Sequence, residues 1–321
     1  MRLEEIPRHP LALLPTPLHE LPRLSAAAGG VRIWIKRDDL TGFALGGNKV
    51  RKLEFLLADA LRQGADTLLT AGGLQSNHAR VTAAAAAAAG LECHLVLSGG
   101  RPERLQGNTA LDALLGATLH FVPTGPERTA RLSALAEELR RAGRKPYVIP
   151  IGGSVPVGAL GYVLALEEVQ EECVRRGLRP EAIVVATSSG GTQGGLEAGK
   201  RLVGWDVRII GVSNDEPAAF LQEASAELAT VALALLGRRE TVRPEELTVL
   251  GEYIGEGYGT PTPASQEALA LFAKTEGIIL DPTYTAKAAA GLLDLIHREE
   301  FRRGQAVLFW HTGGLPPVLP V

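Results

Sequence analysis

The sequence predicts an α/β fold, in which short strands alternate with helices along most of the chain. Short apolar runs such as Thr67–Thr70 and Ala182–Ala186 are typical of buried strands. Stretches with apolar residues three and four apart follow them, as in amphipathic helices. Glycine-rich turns separate the two kinds of element. The 321 residues are enough for two compact lobes or one large domain.

The individual elements follow from the same patterns. The predicted strands are Val31–Lys36, Thr67–Thr70, Leu91–Leu97, His120–Val122, Tyr147–Pro150, Ala182–Ala186, Val207–Val212 and Ala306–Trp310. Two helices are predicted from Asn48 to a stop at Gly64 and from a cap at Ser76 or Asn77 to Gly90. The remaining predicted helices are Asn108–Leu115, Arg128–Ala142, Leu160–Arg176, Thr192–Leu202, Glu216–Leu236, Pro263–Lys274 and Thr285–Arg298.

Composition and charge exclude several classes of function. The chain is 45% hydrophobic and 21% charged, and its net charge is -3, so no basic surface for nucleic acid or an anionic membrane is expected. Cys93 and Cys173 are far apart and lack the spacing of metal ligands, so we expect no metal and a reducing compartment, the cytoplasm. The first residues lack the long apolar run of a signal peptide.

A glycine- and hydroxyl-rich turn follows the apolar strand that ends at Ala186. It contains Ser188, Ser189, Gly190, Gly191, Thr192 and Gly194 and leads into a helix. Free N–H groups and the helix dipole at such a start favour a phosphate, although an ordinary strand-to-helix turn has the same pattern. The chain lacks the lysine signature of a nucleoside-triphosphate loop and, in its first strand-to-helix turn, the dinucleotide fingerprint. A nicotinamide oxidoreductase is therefore disfavoured.

Lys49 follows Gly46-Gly47-Asn48 at a predicted helix start. A cation near the positive end of the helix dipole should have a lowered pKa, which suits an amine nucleophile. A solvated surface lysine is the ordinary alternative. Lys52 is the nearby rival, but it lacks the glycine setting.

A second helix start combines amide, hydroxyl and imidazole groups in Gly72-Gly73-Leu74-Gln75-Ser76-Asn77-His78. Its free N–H groups suit a substrate carboxylate, and Ser76 could also move a proton. Helix capping by Ser76 or Asn77, and a surface position for His78, are the structural alternatives.

Two tyrosines lie beside glycine or proline turns late in the chain. Tyr258 is in Gly257-Tyr258-Gly259-Thr260-Pro261, and Tyr284 is in Asp281-Pro282-Thr283-Tyr284-Thr285. A tyrosine ring can stack on a flat cofactor while its hydroxyl exchanges protons, although core packing is the alternative for each. The loop His311–Gly314 follows the last strand and could form a wall of the same site.

Together these segments resemble the family of 1-aminocyclopropane-1-carboxylate (ACC) deaminase and D-cysteine desulfhydrase, fold-type II pyridoxal-phosphate enzymes. The resemblance extends from Pro15-Thr16-Pro17-Leu18 to His311-Thr312-Gly313-Gly314. It implies a tryptophan synthase β-like fold of two lobes, each an open, twisted, mostly parallel sheet flanked by helices. Residues 1–49 and 156–321 would form the large cofactor-binding domain, and residues 50–155 a small domain inserted in it. It also implies a homodimer.

The resemblance implies a role for each candidate residue. Lys49 would hold pyridoxal phosphate as a Schiff base and return as an acid or base, and Asn77 would bond the ring oxygen of the cofactor. Ser76 and Tyr258 would lie near the substrate, with Asn77 and His78, and share proton transfers; the residue that takes the first proton stays open. Backbone donors of the turn would bind the phosphate, namely those of Ser188, Ser189, Gly190, Gly191, Thr192 and Gly194. Tyr284 would stack on the pyridine ring, and Thr285 would face its nitrogen.

Two positions favour one branch of the family. Ring-opening deaminases have a glutamate where this chain has Thr285, and a carboxylate makes the pyridine a stronger electron sink than a hydroxyl does. His78 replaces a glutamine of the deaminases. Both departures favour β-elimination from a small amino acid, with D-cysteine as the first choice of substrate. L-Cysteate or another β-substituted or hydroxy amino acid is the alternative, then the cyclopropane acid, and finally a non-catalytic metabolite-binding protein.

Overall fold

The computed structural model describes residues 3–314 and has ten strands in that part of the chain. The strands are β1 (Leu18–Glu20), β2 (Arg32–Arg37), β3 (Thr67–Gly73), β4 (Glu92–Ser98), β5 (Thr118–Val122), β6 (Pro146–Ile149), β7 (Pro180–Thr187), β8 (Arg208–Ser213), β9 (Thr248–Leu250) and β10 (Ala306–His311). Helices connect most of them: α1 (Pro22–Ala27), α2 (Asn48–Arg62), α3 (Asn77–Ala89), α4 (Asn108–Leu114), α5 (Gly125–Arg141), α6 (Pro156–Arg176), α7 (Gly191–Leu202), α8 (Ala218–Leu235), α9 (Pro263–Glu276) and α10 (Thr285–His297).

The strands form two sheets, which confirms the predicted α/β class. The six-stranded sheet has the order β1-β2-β10-β7-β8-β9, and all its pairs are parallel except β1 with β2. The four-stranded sheet has the order β5-β4-β3-β6 and is wholly parallel. Its strands all come from residues 67–149, within the predicted small domain. The domain boundaries themselves stay a prediction.

Apolar side chains cover both faces of each sheet, as parallel sheets require. In β7, Val184 packs into a cluster with α9 and α10, while Ile183 faces the opposite cluster with α6. In β3, Leu68 packs toward α2 and α3, and Leu69 packs toward α5. Every predicted element is present, so the continuous apolar runs were correctly interpreted as buried strands.

The structure differs from the sequence predictions at short elements and at proline-containing helix starts. Strands β1 and β9 and helix α1 were not predicted, because three to six residues are too few to show a periodicity. Helix α6 begins at Pro156 rather than Leu160, and α5 begins at Gly125 rather than Arg128. Proline suits the first turn of a helix, and Thr124 caps α5.

Helix α8 is, within residues 3–314, the one helix long and apolar enough to cross a membrane by length and composition alone. It packs against α7 and α6. Its residues Ala229 and Leu233 are fully buried in a cluster with Leu160 of α6 and Ala198 of α7. These contacts account for the apolar residues of its buried face, while Phe220 and Val231 are exposed.

A buried ionic network centred on Asp38 connects that residue to four other parts of the chain. Its carboxylate accepts hydrogen bonds from Thr16 Oγ1 (2.8 Å), from Nε and Nη2 of Arg51 (3.0 and 2.9 Å), from Tyr162 Oη (2.6 Å) and from Trp310 Nε1 (2.9 Å). Burial opposes ionisation of Asp38, but the charge and hydrogen bonds of Arg51 outweigh it and lower its pKa to about 2. Glu168 also pairs with Arg51. The network fixes α2 against α6 and β10.

We predict that Asp38→Asn lowers the free energy of unfolding by about 3–5 kcal/mol, because it leaves the buried Arg51 guanidinium without its main countercharge. Urea unfolding followed by circular dichroism measures the change. Asp39→Asn is the matched control, since Asp39 pairs with Arg37 in a partly exposed ion pair, and we expect a loss below about 1 kcal/mol. Equal losses in the two variants would contradict the importance of the buried network.

The same carboxylate should make stability depend on acid pH. Its folded pKa of about 2 lies below the unfolded value of about 3.9, so its contribution is present above about pH 4 and is lost as the pH falls toward 2. Asp38→Asn should therefore lose less stability than wild type between pH 4 and 2. Urea unfolding repeated across that pH range measures the difference, and parallel losses in the two proteins would contradict it.

Candidate active site

A cavity of about 1110 Å³ lies where the two sheets face each other. Its wall contains the residues that end, or directly follow, the strands of both sheets, including Gly73, Ser98, Pro150, Thr187 and Thr312. Ligands of open α/β sheets bind outside the carboxyl ends of the strands. Most residues predicted to form the site line this cavity: Lys49, Ser76, Asn77, His78, Ser188, Ser189, Gly190, Gly191, Thr192, Tyr258 and Tyr284.

Lys49 lies in the first turn of α2 and lines the cavity. Burial lowers the pKa of its amine to about 8, against the opposing effect of the Asp215 carboxylate. The lowered pKa agrees with the prediction, and its largest cause is desolvation. A useful fraction of the amine is thus uncharged near neutral pH, as a nucleophile requires.

The loop before Lys49 has an unusual backbone and is tied down at several points. Gly46 and Gly47 have φ values of 71° and 109°, and a Cβ at Gly46 would lie 2.1 Å from the carbonyl oxygen of Asp39. The N–H of Gly47 donates to the carbonyl of Asp38 (3.0 Å), and that of Asn48 donates to the carbonyl of Thr312 (2.8 Å). Only glycine tolerates this geometry. The backbone directly before Lys49 is therefore held in one position.

The glycine-rich turn after β7 forms a polar cup at the start of α7. Gly190 has φ 75°, and the hydroxyls of Ser154 and Ser189 are 2.7 Å apart. A Cβ at Gly191 would lie 2.8 Å from Lys52 Nζ, so the ammonium of Lys52 points at this turn. Lys52 also donates to the carbonyl of Gly152 (3.2 Å).

Lys52 is a functional candidate that the sequence reasoning had set aside. It is fully buried, and burial, followed by the charge of Lys49, lowers its pKa well below the ordinary value. A buried cation without a carboxylate in the described chain, next to free helix N–H groups, is suited to an anion such as phosphate. No local pattern could have found it, because its Nζ lies beside the start of α7 only in the folded chain.

The third turn positions Ser76, Asn77 and His78 at the start of α3. Ser76 caps the helix by accepting a hydrogen bond from the N–H of Ala79 (3.2 Å), so the predicted capping alternative is also present. Asn77 Oδ1 accepts from Arg80 Nη1 (2.9 Å) and from Asn108 Nδ2 (3.0 Å). Because its oxygen is held in this way, the Asn77 amide presents its N–H groups as donors. The sequence did not identify Arg80 and Asn108 as residues of the site, because their hydrogen bonds to Asn77 form only in the folded chain.

His78 is buried in the cavity wall rather than lying on a helix surface. Thr70 donates its hydroxyl proton to the carbonyl of Ile149, so it accepts from His78 Nε2 (2.9 Å). Burial, with the nearby charges of Lys49 and Lys52, lowers the pKa of His78 well below its ordinary value. The ring is therefore neutral, and its Nδ1 is an acceptor.

Three buried acceptor atoms in the wall have no partner within residues 3–314. They are His78 Nδ1, Thr187 Oγ1 and Asn214 Oδ1. A buried polar atom without a hydrogen bond costs about 1–3 kcal/mol. Such atoms, together with the Lys52 ammonium and the donors of Asn77, fit a polar phosphorylated cofactor rather than an apolar ligand.

Tyr258 and Tyr284 meet at the cavity mouth. Their hydroxyl oxygens are 2.5 Å apart, and their rings make an edge-to-face contact with centroids 5.8 Å apart. Burial raises the pKa of both hydroxyls, so both are protonated at neutral pH and either can donate to the other. The Tyr284 carbonyl accepts from Asn214 Nδ2 (3.1 Å), which fixes the backbone beneath the ring.

Two predicted cofactor contacts lie outside the cavity wall. The Gly194 N–H donates to the carbonyl of Gly190 within α7, and a Cβ at Gly194 would lie 2.7 Å from the carbonyl of Ser225. Its glycine serves close packing of α7 on α8. The hydroxyl of Thr285 donates to Asp281 Oδ1 (2.7 Å), and Thr285 is fully buried behind Tyr284. Both contacts stay predictions without geometric support.

Asp215 is an acidic residue of the wall that the sequence reasoning did not select. Its carboxylate accepts from Ser188 Oγ (2.8 Å). Burial raises its pKa, against the hydrogen bond from Ser188. It stands close enough to Lys49 to raise the pKa of the amine, and it is the one carboxylate with that effect in the described chain.

Comparison with known proteins agrees with this geometry. Residues 10–313 match the family model described as pyridoxal-phosphate dependent enzyme. The D-cysteine desulfhydrase of Salmonella choleraesuis (strain SC-B67) is 43% identical over 320 residues, which are 98% of this chain and 96% of that protein. The D-cysteine desulfhydrase of Salmonella newport (strain SL254) is 42% identical over 319 residues, with the same coverage.

Solved structures show the same architecture. The crystal structure of an ACC deaminase homologue superposes with a TM-score of 0.89 at 41% identity and covers 98% of this chain and 94% of its own. The T.th. threonine deaminase has a TM-score of 0.70 at 22% identity, covers 95% of this chain and 94% of its own, and shows the shared fold alone. The chain therefore belongs to the pyridoxal-phosphate-dependent enzymes of fold type II, in the family of ACC deaminase and D-cysteine desulfhydrase.

Proposed function

We propose that this enzyme is a β-eliminating lyase that converts D-cysteine to pyruvate, sulfide and ammonia, with Lys49 as the residue that holds the cofactor. The observation that carries the proposal is the position of Lys49. Its amine shares one cavity with the cup of Ser188–Thr192, the helix start at Ser76 and Asn77, and the tyrosine pair. The D-cysteine desulfhydrases at 42–43% identity support the choice of substrate.

The cofactor contacts follow from the polar groups of the wall. Lys52 would hold the phosphate, because the described chain offers it no carboxylate partner. The other groups that would hold it are the donors of Ser188, Ser189, Gly190, Gly191 and Thr192. Asn77 would donate to the ring oxygen, since Arg80 and Asn108 hold its own oxygen. Tyr284 would lie against the ring. The bound cofactor supplies an electron sink for the negative charge left at Cα when its proton is removed.

The substrate contacts use the start of α3. Free N–H groups there bind the amino-acid carboxylate, with the Ser76 hydroxyl beside them. His78 is neutral and accepts at Nδ1, so it orients a donor rather than countering a carboxylate. Lys49 would hold the cofactor and, as a free amine with a pKa of about 8, would be suited to remove the Cα proton.

The tyrosine pair serves the leaving group. Tyr258 lies at the mouth with its hydroxyl on Tyr284, so it can donate a proton to departing sulfide and recover one from its partner. L-Cysteate and other β-substituted amino acids could use the same contacts, and they remain the second choice. Opening of the cyclopropane ring is the third choice, because the chain has Thr285 where the ring-opening deaminases have a glutamate.

Assembly and location complete the proposal. We propose a homodimer, as the family resemblance implies, and a cytoplasmic location. Cys93 and Cys173 are both free and buried, which is compatible with a reducing compartment. Light scattering of the purified protein measures the dimer, and a monomer of 33.9 kDa would contradict it.

The first test is turnover by wild type and Lys49→Ala with D-cysteine, L-cysteine, L-cysteate and ACC. We expect pyruvate and sulfide from D-cysteine with wild type and none with the variant, because the variant lacks both the attachment point and the Cα base. Lys200→Ala is the control, since Lys200 lies at the far end of α7. Turnover of L-cysteate alone would change the substrate assignment, and 2-oxobutyrate from ACC would indicate a deaminase.

The lowered pKa of Lys49 should control capture of the cofactor. The attacking form is the neutral amine, so the rate at which apoenzyme takes up pyridoxal phosphate should rise with pH and reach half its plateau near pH 8. Stopped-flow absorbance measures this rate. A midpoint near the ordinary lysine value of about 10.4 would show that burial does not tune this amine.

Tyr258→Phe should lower kcat for D-cysteine by about 10²–10⁴, because it removes the hydroxyl that exchanges protons with the leaving group. KM and the absorbance of bound cofactor should change little, since neither depends on that hydroxyl. Tyr147→Phe is the matched control, because Tyr147 donates to Asp59 (2.7 Å) far from the cavity. If kcat of Tyr258→Phe equals that of wild type, the proposed role of the tyrosine pair is wrong.

A further inference from the structure

The cavity extends beyond the groups assigned to cofactor and substrate. The cavity of about 1110 Å³ has to hold both the cofactor and a three-carbon amino acid, and part of its wall carries none of the groups assigned to either. The unassigned part, the α5 recess, lies at the carboxyl ends of β4 and β5 and the first turns of α5. Six of its lining residues are Ser98, Gly99, Pro123, Arg128, Thr129 and Leu132.

Arg128 is the charged group of the α5 recess. Its Nη1 donates to Ser98 Oγ (3.0 Å), and its Nε is buried without a hydrogen-bond partner in residues 3–314. No carboxylate of the described chain pairs with it. The preceding Glu127 instead accepts from the hydroxyl of Thr124 (2.9 Å). A cation in the first turns of a helix is also opposed by the helix dipole. An anionic ligand would relieve all of these costs.

The recess faces the reacting centre. Arg128 lies close enough to Tyr258 for its charge to lower the pKa of that hydroxyl, and Tyr258 lies 3.9 Å from where a Cβ on Gly73 would be. Gly73 precedes the turn proposed to bind the substrate carboxylate. A β-substituent directed away from that turn and past Tyr258 would therefore point toward the guanidinium. The carboxylates of Asp215 and Glu216 belong to the wall formed by the other sheet.

We propose that the α5 recess binds the far end of an anionic β-substituent, so that the enzyme also cleaves S-substituted cysteines whose sulfur carries a carboxylate-bearing group. This inference rests on the proposed lyase function and names a wider substrate class for the same site. Arg128 is the specificity-determining residue, through a charge-assisted hydrogen bond to the distal carboxylate.

The reaction balances with water as the one co-reactant. The Cα–H and Cβ–S bonds break, a Cα–Cβ double bond forms, and the thiolate leaves with the electron pair of the Cβ–S bond. The thiolate takes up a proton, and hydrolysis of the resulting enamine gives pyruvate and ammonium. S-Carboxymethylcysteine and water thus yield mercaptoacetate, pyruvate and ammonium.

The test compares S-carboxymethylcysteine with its neutral isostere S-carbamoylmethylcysteine and with cationic S-(2-aminoethyl)cysteine, each as the enantiomer that wild type accepts. We expect kcat/KM for the anionic substrate to exceed that for the isostere by about 10- to 100-fold, mainly through KM. In Arg128→Gln this ratio should fall to about one, and Arg128→Lys should retain part of it. A general structural defect would lower both rates and leave their ratio intact.

Arg131→Gln is the matched control on the same helix, because Arg131 pairs with Glu138 and does not line the cavity. It should keep the wild-type ratio. A wild-type ratio near one, an unchanged ratio in Arg128→Gln, or a preference for the aminoethyl substrate would overturn the proposal. The last outcome would assign the distal contact to Asp215 and Glu216.

Two further measurements separate this inference from the lyase proposal. β-Chloro-D-alanine has a small leaving group that cannot reach the recess, so its turnover tests the elimination chemistry alone. Calorimetric binding of the carboxymethyl and carbamoylmethyl compounds to wild-type and Arg128→Gln holoenzyme needs no turnover. An Arg128-dependent difference in Kd without pyruvate from any substrate would support the recess and refute the lyase. Turnover of chloroalanine with equal Kd values would refute the recess alone.

Discussion

The buried carboxylate of Asp38 is the constraint on which the placement of Lys49 depends. Its side chain holds Arg51 of α2, and its backbone carbonyl accepts from the N–H of Gly47. Lys49 lies between these two anchored positions, so its backbone is fixed on both sides. The same carboxylate also binds Tyr162 and Trp310, which connects the start of α2 to the core of the six-stranded sheet. The stability of the fold and the position of Lys49 therefore both depend on the buried carboxylate of Asp38.

The cavity combines buried lysine amines with turns in which glycine has a positive φ. Desolvation lowers the pKa of both Lys49 and Lys52, and in the described chain only Asp215 opposes that effect at Lys49. Neither amine therefore has enough negative charge around it to balance its positive charge. Binding of an anion, or reaction with an aldehyde, would remove this imbalance. Such a site lowers the stability of the protein when no ligand is bound. This cost in free energy is consistent with a function in binding a phosphorylated aldehyde cofactor.

The sequence was sufficient to predict the parts of the site that depend on local chemistry. Glycine and hydroxyl residues at a strand-to-helix turn provide hydrogen-bond donors at a helix start in any fold. The cup at Gly190 and the helix start at Ser76 were therefore predictable. Lys52 was not, because its amine lies beside the cup only in the folded chain, where a Cβ on Gly191 would be 2.8 Å from its Nζ. No sequence pattern identified Arg128 either, because the α5 recess forms only where α5 closes one end of the cavity.

The most direct test of the central claim is to reduce the holoenzyme with borohydride and map the cofactor label by peptide mass spectrometry. Reduction makes the bond between lysine and cofactor permanent, so the labelled residue is identified without reference to any substrate. We predict a phosphopyridoxyl group on Lys49 and none on Lys52, whose amine is directed at the phosphate cup. A label on Lys52, or no label on either lysine, would show that Lys49 does not hold the cofactor.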